Sequence, residues 1–277
     1  MPYTAEISRK QATAFLFVLD QSGSMKDKMS SGITKADFVA DVLNKTLANL
    51  IVRSTKSDGV RNYFDVGVIA YGGKGVGSGF DGEGTGSVLQ ALGDVAANPL
   101  RVEERTKKMD DGAGGLVEQP IKFPVWFEPK AVGGTPMCEA MRQAAAALVE
   151  WCDAHPGSYP PTVIHVSDGE STDGDPEEIG RQLHEIATDD GNVLVFNLHI
   201  DASEGTGIMF PNEEKSLPDA HSRRLFRMSS ALPEHLVKFA TQMGYTASPD
   251  SRFFGYKVGT EGIVDFFDIG TRASELR

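Results

Sequence analysis

The sequence is poor in cysteine, in basic residues and in long apolar runs, and each shortage excludes something. Lys and Arg number 27 against 39 Asp and Glu, a formal net charge of −12 over 277 residues. That balance argues against sequence-independent nucleic-acid binding, which sets Lys and Arg against phosphate. It argues equally against an anionic membrane surface. Arg223, Arg224 and Arg227 form a small basic cluster, read here as flanking a short strand. The two cysteines, Cys138 and Cys152, lie fourteen residues apart in CEAMRQAAAALVEWC, which reads as one helix. At about 1.5 Å per residue they stand roughly 21 Å apart, and a disulfide needs Cα atoms within about 7 Å. They are expected to be buried thiols. No apolar stretch approaches the ~20 residues of a membrane helix. The opening MPYTAEISRK lacks the apolar core of a signal peptide. The expected compartment is the cytoplasm, with no membrane and no nucleic acid as partner.

What is present is an alternation of short apolar runs with amphipathic stretches. Ala14–Asp20, Phe64–Tyr71, Thr162–Ser167 and Val193–Ile200 are rich in Val, Ile, Leu and Phe with little polar alternation. Such runs are buried on both faces, as in a parallel sheet. Leu225–Met228 is a weaker fifth strand, and Ile121–Phe127, which contains Pro124, is an edge strand if it is one at all. Helical patterns span Lys35–Arg53, Pro136–Asp153, Pro176–Thr188 and Pro233–Met243, and a short one begins near Val264–Phe267. Asp175 before Pro176 is a good cap. The pattern predicts an α/β fold: a Rossmann-like, doubly wound, mostly parallel sheet flanked by helices.

The segment from Gly72 to Glu128 interrupts this pattern. Gly77-Ser-Gly79-Phe-Asp-Gly82 formally matches G-x-G-x-x-G, but it trails the strand and opens no helix. A P-loop would need glycine at position 68, which is Val68. We therefore expect one domain over 1–245 with a long inserted loop region at 72–128, and a C-terminal extension, 246–277, packing on it.

In open α/β sheets, ligands bind beyond the carboxyl ends of the strands. The first strand ends in Asp20-Gln-Ser22-Gly-Ser24, the third in Ser-Asp168-Gly169, and Gly-Gly-Thr135-Pro precedes a helix on the same edge. Singly, each reads as a cap or a turn. Together they place two carboxylates and three hydroxyls on one edge. These are hard oxygen donors of the kind Mg²⁺ and Mn²⁺ accept, and with no His or Cys among them they do not suit zinc or copper. The run from Asp168 is not an EF-hand loop, whose twelfth position is Glu; here it is Ile179. Asp173 and Asp175 are read as helix caps, and His165 and His199 as satisfied core residues.

These residues carry a resemblance. Asp20-Gln-Ser22-Gly-Ser24, Gly-Gly-Thr135-Pro and Ser-Asp168-Gly169 resemble, in the same order, the metal-ion-dependent adhesion site of von Willebrand factor type A (vWA) domains. LDQSGSM, GGTPM and DGESTDGDP are more closely similar to stand-alone bacterial cytoplasmic members associated with tellurite resistance or signalling. The resemblance implies one Mg²⁺ or Mn²⁺, with Ca²⁺ ranked behind. Its ligands are hydroxyls of Ser22, Ser24 and Thr135 and the carboxylates of Asp20 and Asp168, bound directly or through water. A partner's Asp or Glu completes the shell. It further implies a non-enzymatic interaction module in a signalling, stress or defence assembly, with a kinase, a phosphatase or an AAA+ ATPase of the MoxR type from the same operon as partner. An adaptor subunit for such an ATPase is the alternative reading. A phosphohydrolase using Asp20 as nucleophile is a third, and it lacks the acid two residues on, where Ser22 stands.

Overall fold

The computed structural model describes residues 3–73, 75–80, 87–110, 115–202, 207–273 and 276. Along the chain, β1 (Thr13–Asp20) leads to α1 (Lys35–Ser54), β2 (Phe64–Gly72), β3 (Gly75–Ser78), β4 (Leu89–Ala91), α2 (Leu92–Ala97), β5 (Arg101–Asp110), β6 (Leu116–Val125) and α3 (Met137–Ala154). There follow β7 (Thr162–Ser167), α4 (Glu177–Leu183), β8 (Leu194–Ile200), β9 (Ile208–Met209), α5 (Ala220–Arg227), α6 (Glu234–Gln242), β10 (Phe254–Val258) and α7 (Thr260–Gly270). The principal sheet runs β9-β10-β8-β7-β1-β2-β3, with β4 also paired to β2. The five inner strands are parallel, and β3, β4 and β9 join antiparallel.

The parallel strands are buried on both faces, as their composition predicts. On β1, Phe15, Phe17 and Leu19 pack against α1 and α7, while Ala14, Leu16 and Val18 pack against α3. Read in chain order, the parallel strands lie 2-1-3-4-5, so the order reverses between β1 and β7. That reversal opens a crevice at the carboxyl ends of these two strands, where Asp20 and Asp168 sit.

Three sequence expectations need correction. Leu225–Met228 is not a strand. Leu225 lies in α5, a helix begun by a capping box in which the Asp219 carboxylate accepts from the Ser222 amide at 2.7 Å. A four-residue apolar run cannot separate helix from strand by itself; the Asp219 cap could have. The Arg cluster thus lies on a helix rather than beside a strand: Arg227 pairs with Glu177 and Glu214 at 2.6 Å, Arg224 with Asp175 at 2.9 Å, and Arg223 donates to the Leu217 and Pro218 carbonyls. The helix expected over 176–188 closes at Leu183, and Ala187–Thr188 starts a small ladder instead.

The region 72–128 is also more regular than a loop. β5 and β6 form a separate antiparallel pair, of which Ile121–Phe127 supplies only the end. Residues 81–86, including Gly82 of the glycine motif, lie outside the described residues. Gly77 belongs to an antiparallel strand that opens no helix. The segment 246–277 contributes β10 to the principal sheet and α7 to its face.

Candidate metal centre

The site is built at the end of β1. The strand stops because the Asp20 carboxylate turns back to accept the Ser22 amide at 2.7 Å. A single 3₁₀ turn, Gly23–Lys26, follows, pinned by the fully buried Met25. The other Asp20 oxygen accepts the Ser167 hydroxyl from β7 at 2.8 Å. Ser22 Oγ and Ser24 Oγ lie 3.1 Å apart, and the Ser24 hydroxyl donates to Asp168 Oδ1 at 2.6 Å. Four of the five sequence-predicted residues are therefore one hydrogen-bonded group.

Thr135, the fifth, is brought to the same edge by backbone ties. Gly23 N–H donates to Gly133 O at 2.9 Å, and Val132 N–H to Gln21 O at 2.8 Å. The Thr135 amide donates to Thr172 Oγ1 at 3.0 Å, and its carbonyl accepts the Thr172 amide at 2.9 Å. This close strapping explains the glycines on either side. A Cβ on Gly133, at φ 74°, would fall 2.2 Å from the Gly73 Cα. Glycine at these positions lets two loops approach each other.

Thr135 is not the helix cap that the sequence predicts. Pro136 occupies that position, and the free amides of Cys138 and Glu139 are both taken by the Asp173 carboxylate at 2.9 Å. Capping from another loop leaves the Thr135 side chain free of that duty. Asp175 accepts the Glu177 amide at 3.0 Å, so both carboxylates cap helices.

The electrostatics are unbalanced. Asp20 is 2 % exposed, and the Asp168 side chain is fully buried. Burial pushes the Asp20 carboxyl up to about 6, and Asp168 adds repulsion; hydrogen bonds from Ser22 and Ser167 oppose the rise. Against these two acids stands Lys35, absent from the sequence-derived site. Its ammonium lies 2.8 Å from Asp168 Oδ2 and 3.7 Å from Asp27 Oδ2, with its side chain 7 % exposed. A signal was available: Lys35 is the first residue of α1, where the helix dipole disfavours a cation.

Among the described residues no group of three or more His, Cys, Asp or Glu is placed to hold a metal. The donor set here is two carboxylates and three hydroxyls, under a rim of exposed Ser24, Val132, Gly133 and Gly134. That set fits a hard divalent ion, since among the described residues two buried carboxylates are matched by the single ammonium of Lys35.

The histidines divide. His165 is satisfied on both ring nitrogens, by Tyr71 at 2.7 Å and Asn197 at 2.9 Å. His199 is buried as expected, stacked on Tyr256, but its Nδ1 has no hydrogen-bond partner among the described residues. Both cysteines are free and buried. Among the described residues no helix is long and apolar enough to cross a membrane.

No known protein family's description matches the sequence, and no curated protein matches it. Among solved structures, the chain is similar to the pilus adhesin SpaC from Lactobacillus rhamnosus GG, with TM-score 0.51 and 14 % identity over 93 % of this chain. It spans 30 % of that adhesin's length, and at this identity the likeness is one of fold. A fainter similarity, to the vWF domain of the type V pili tip protein Mfa5 from Porphyromonas gingivalis, has TM-score 0.45 and 9 % identity over 96 % of this chain and 98 % of that one. The architecture, a mostly parallel sheet flanked by helices, is a fold shared with the pilus adhesin SpaC.

Proposed function

We propose that this protein is a non-enzymatic interaction module whose grip on a protein partner depends on one Mg²⁺ or Mn²⁺ at the carboxyl edge of β1 and β7. The observation that carries this reading is the group Asp20–Ser22–Ser24–Asp168, joined by contacts of 2.6 to 3.1 Å at the point where the strand order reverses. Asp20 and Asp168 would hold the ion directly or through water, and Ser22, Ser24 and Thr135 would offer hydroxyls. Such a set supplies few fixed negative charges. The ion stays electrophilic, and an incoming Asp or Glu gains a strong directional bond. We place the module in a cytoplasmic assembly of the signalling, stress or defence kind, a reading with which two unpaired buried thiols agree. The fold shared with a pilus adhesin agrees with a role in contact.

Two results test the reading. Asp20→Ala and Thr135→Ala should fold, yet lose divalent-ion binding and capture of the partner from a native extract. Capture by the wild type should collapse with EDTA and respond only weakly to ionic strength, because one coordinated carboxylate dominates. A steep salt dependence without an EDTA effect contradicts the proposal.

A further inference from the structure

Resting on that reading, we propose that Lys35 is a built-in competitor for the divalent ion: its ammonium neutralises Asp168 in the metal-free protein and transfers to Asp27 when the ion enters. The argument begins with where the lysine sits. A cation in the first turn of a 20-residue helix opposes the helix dipole, and a buried ammonium is costly unless paired. Helix formation therefore does not account for Lys35. Its pairing with Asp168, 133 residues away, does.

Both oxygens of Asp168 are engaged, Oδ1 by the Ser24 hydroxyl at 2.6 Å and Oδ2 by Lys35 at 2.8 Å. Ser24 can rotate its hydrogen away and keep its oxygen as a donor. Lys35 offers only protons and a like charge, so its ammonium and an entering cation compete for the Oδ2 lone pairs. A landing place is already present. Asp27 Oδ2 is 3.7 Å from the same ammonium, and the side chain is 56 % exposed. The Lys35 amide donates to the Asp27 carbonyl at 3.0 Å, which keeps the two residues adjacent through the exchange. The tethered ammonium is a permanent monovalent rival, so the site should discriminate in favour of divalent ions, which bring twice the charge to two carboxylates.

Isothermal titration of Mg²⁺ and Mn²⁺ into the EDTA-stripped, desalted full chain tests this. Lys35→Met and Lys35→Gln should bind about tenfold more tightly than wild type, while melting at a lower temperature without metal. Asp27→Asn, which removes the landing place, should bind about threefold more weakly. Lys26→Met, at an exposed lysine of the 3₁₀ turn next to Asp27, should change affinity less than twofold, which separates displacement from a general field effect. If Lys35→Met fails to fold, Asp27→Asn and Lys35→Gln decide the matter alone. Unchanged or weakened binding in the Lys35 variants overturns the competition and leaves the metal reading standing. No binding in any protein overturns both.

Discussion

Two polar clusters lie side by side in this sheet and behave as opposites. Tyr71, His165, Asn197 and Ser229 form a chain of hydrogen bonds of 2.7 to 3.0 Å through the buried layer. That chain is neutral: burial lowers His165 to about 4, so the ring carries no charge at pH 7. Two residues further along the same strand Ser167, and just past its end Asp168, enter the second cluster. It is charged and short of cations, and it opens onto a glycine rim. Polar residues within a parallel strand therefore satisfy each other and hold the core together, while the same kinds of residue at the strand's carboxyl end are left to meet something else. Position along the strand, rather than residue type, distinguishes structure from site.

The comparison breaks most visibly in stability. Asn197→Ala should cost about 3 kcal/mol, because it strands the His165 Nδ1 in the interior and leaves the Ser229 hydroxyl with the Leu225 carbonyl alone. It should leave divalent-ion affinity alone. Urea unfolding followed by metal titration checks both, and a metal defect in that variant would merge the two clusters into one.

Asp20→Asn should act in the other direction. The folded-state carboxyl at about 6 lies above its ordinary value of 3.8, so Asp20 lends stability below about pH 4 and withdraws it as pH rises to 6. A rise of that size corresponds to roughly 3 kcal/mol, from which the lost hydrogen-bond capacity of Asn subtracts about 1 to 2 kcal/mol. The metal-free variant should therefore be more stable than wild type by about 1 kcal/mol at pH 7.5. Unfolding curves between pH 4 and 7.5 should show that advantage appearing through pH 4 to 6 and levelling above. His165 runs the opposite way. Its folded value lies below the usual 6.5, so its contribution is present above pH 6.5 and fades as pH falls towards 4. With Asp20 removed, stability should rise with pH across that interval.

The smallest effect is expected at the rim. Val132 is 55 % exposed, so Val132→Ser should shift stability by less than about 0.5 kcal/mol. It should not alter metal affinity. A drop in partner capture by this variant, with metal binding intact, would place the partner's contact at the rim.

The same contrast explains what was legible in the sequence. β1, β2, β7 and β8 announce themselves because burial on both faces forces continuous apolar runs. β10 does not: Phe254–Val258 carries Gly255 and the exposed Lys257 near the sheet's end. β5 is hidden by RVEERTKKMD, a charged run with no alternation to mark a face. At the candidate site, the motif brings out Asp20, Ser22, Ser24 and Asp168 because each lies at the end of a strand or in the few residues that follow it. Lys35 is not, since its pairing with Asp168 spans 133 residues and leaves no local pattern beyond a lysine at the wrong end of a helix.

The central claim is that the charged cluster is a divalent-ion site, and thermal melting of wild type and Asp20→Ala with Mg²⁺, Mn²⁺ and Ca²⁺ tests it directly. An ion that binds only the folded state raises stability by RT ln(1 + [L]/Kd). The account predicts a saturable rise in Tm for wild type with Mg²⁺ or Mn²⁺, smaller with Ca²⁺, and none in Asp20→Ala. Equal shifts in the two proteins, or no shift in either, would contradict it.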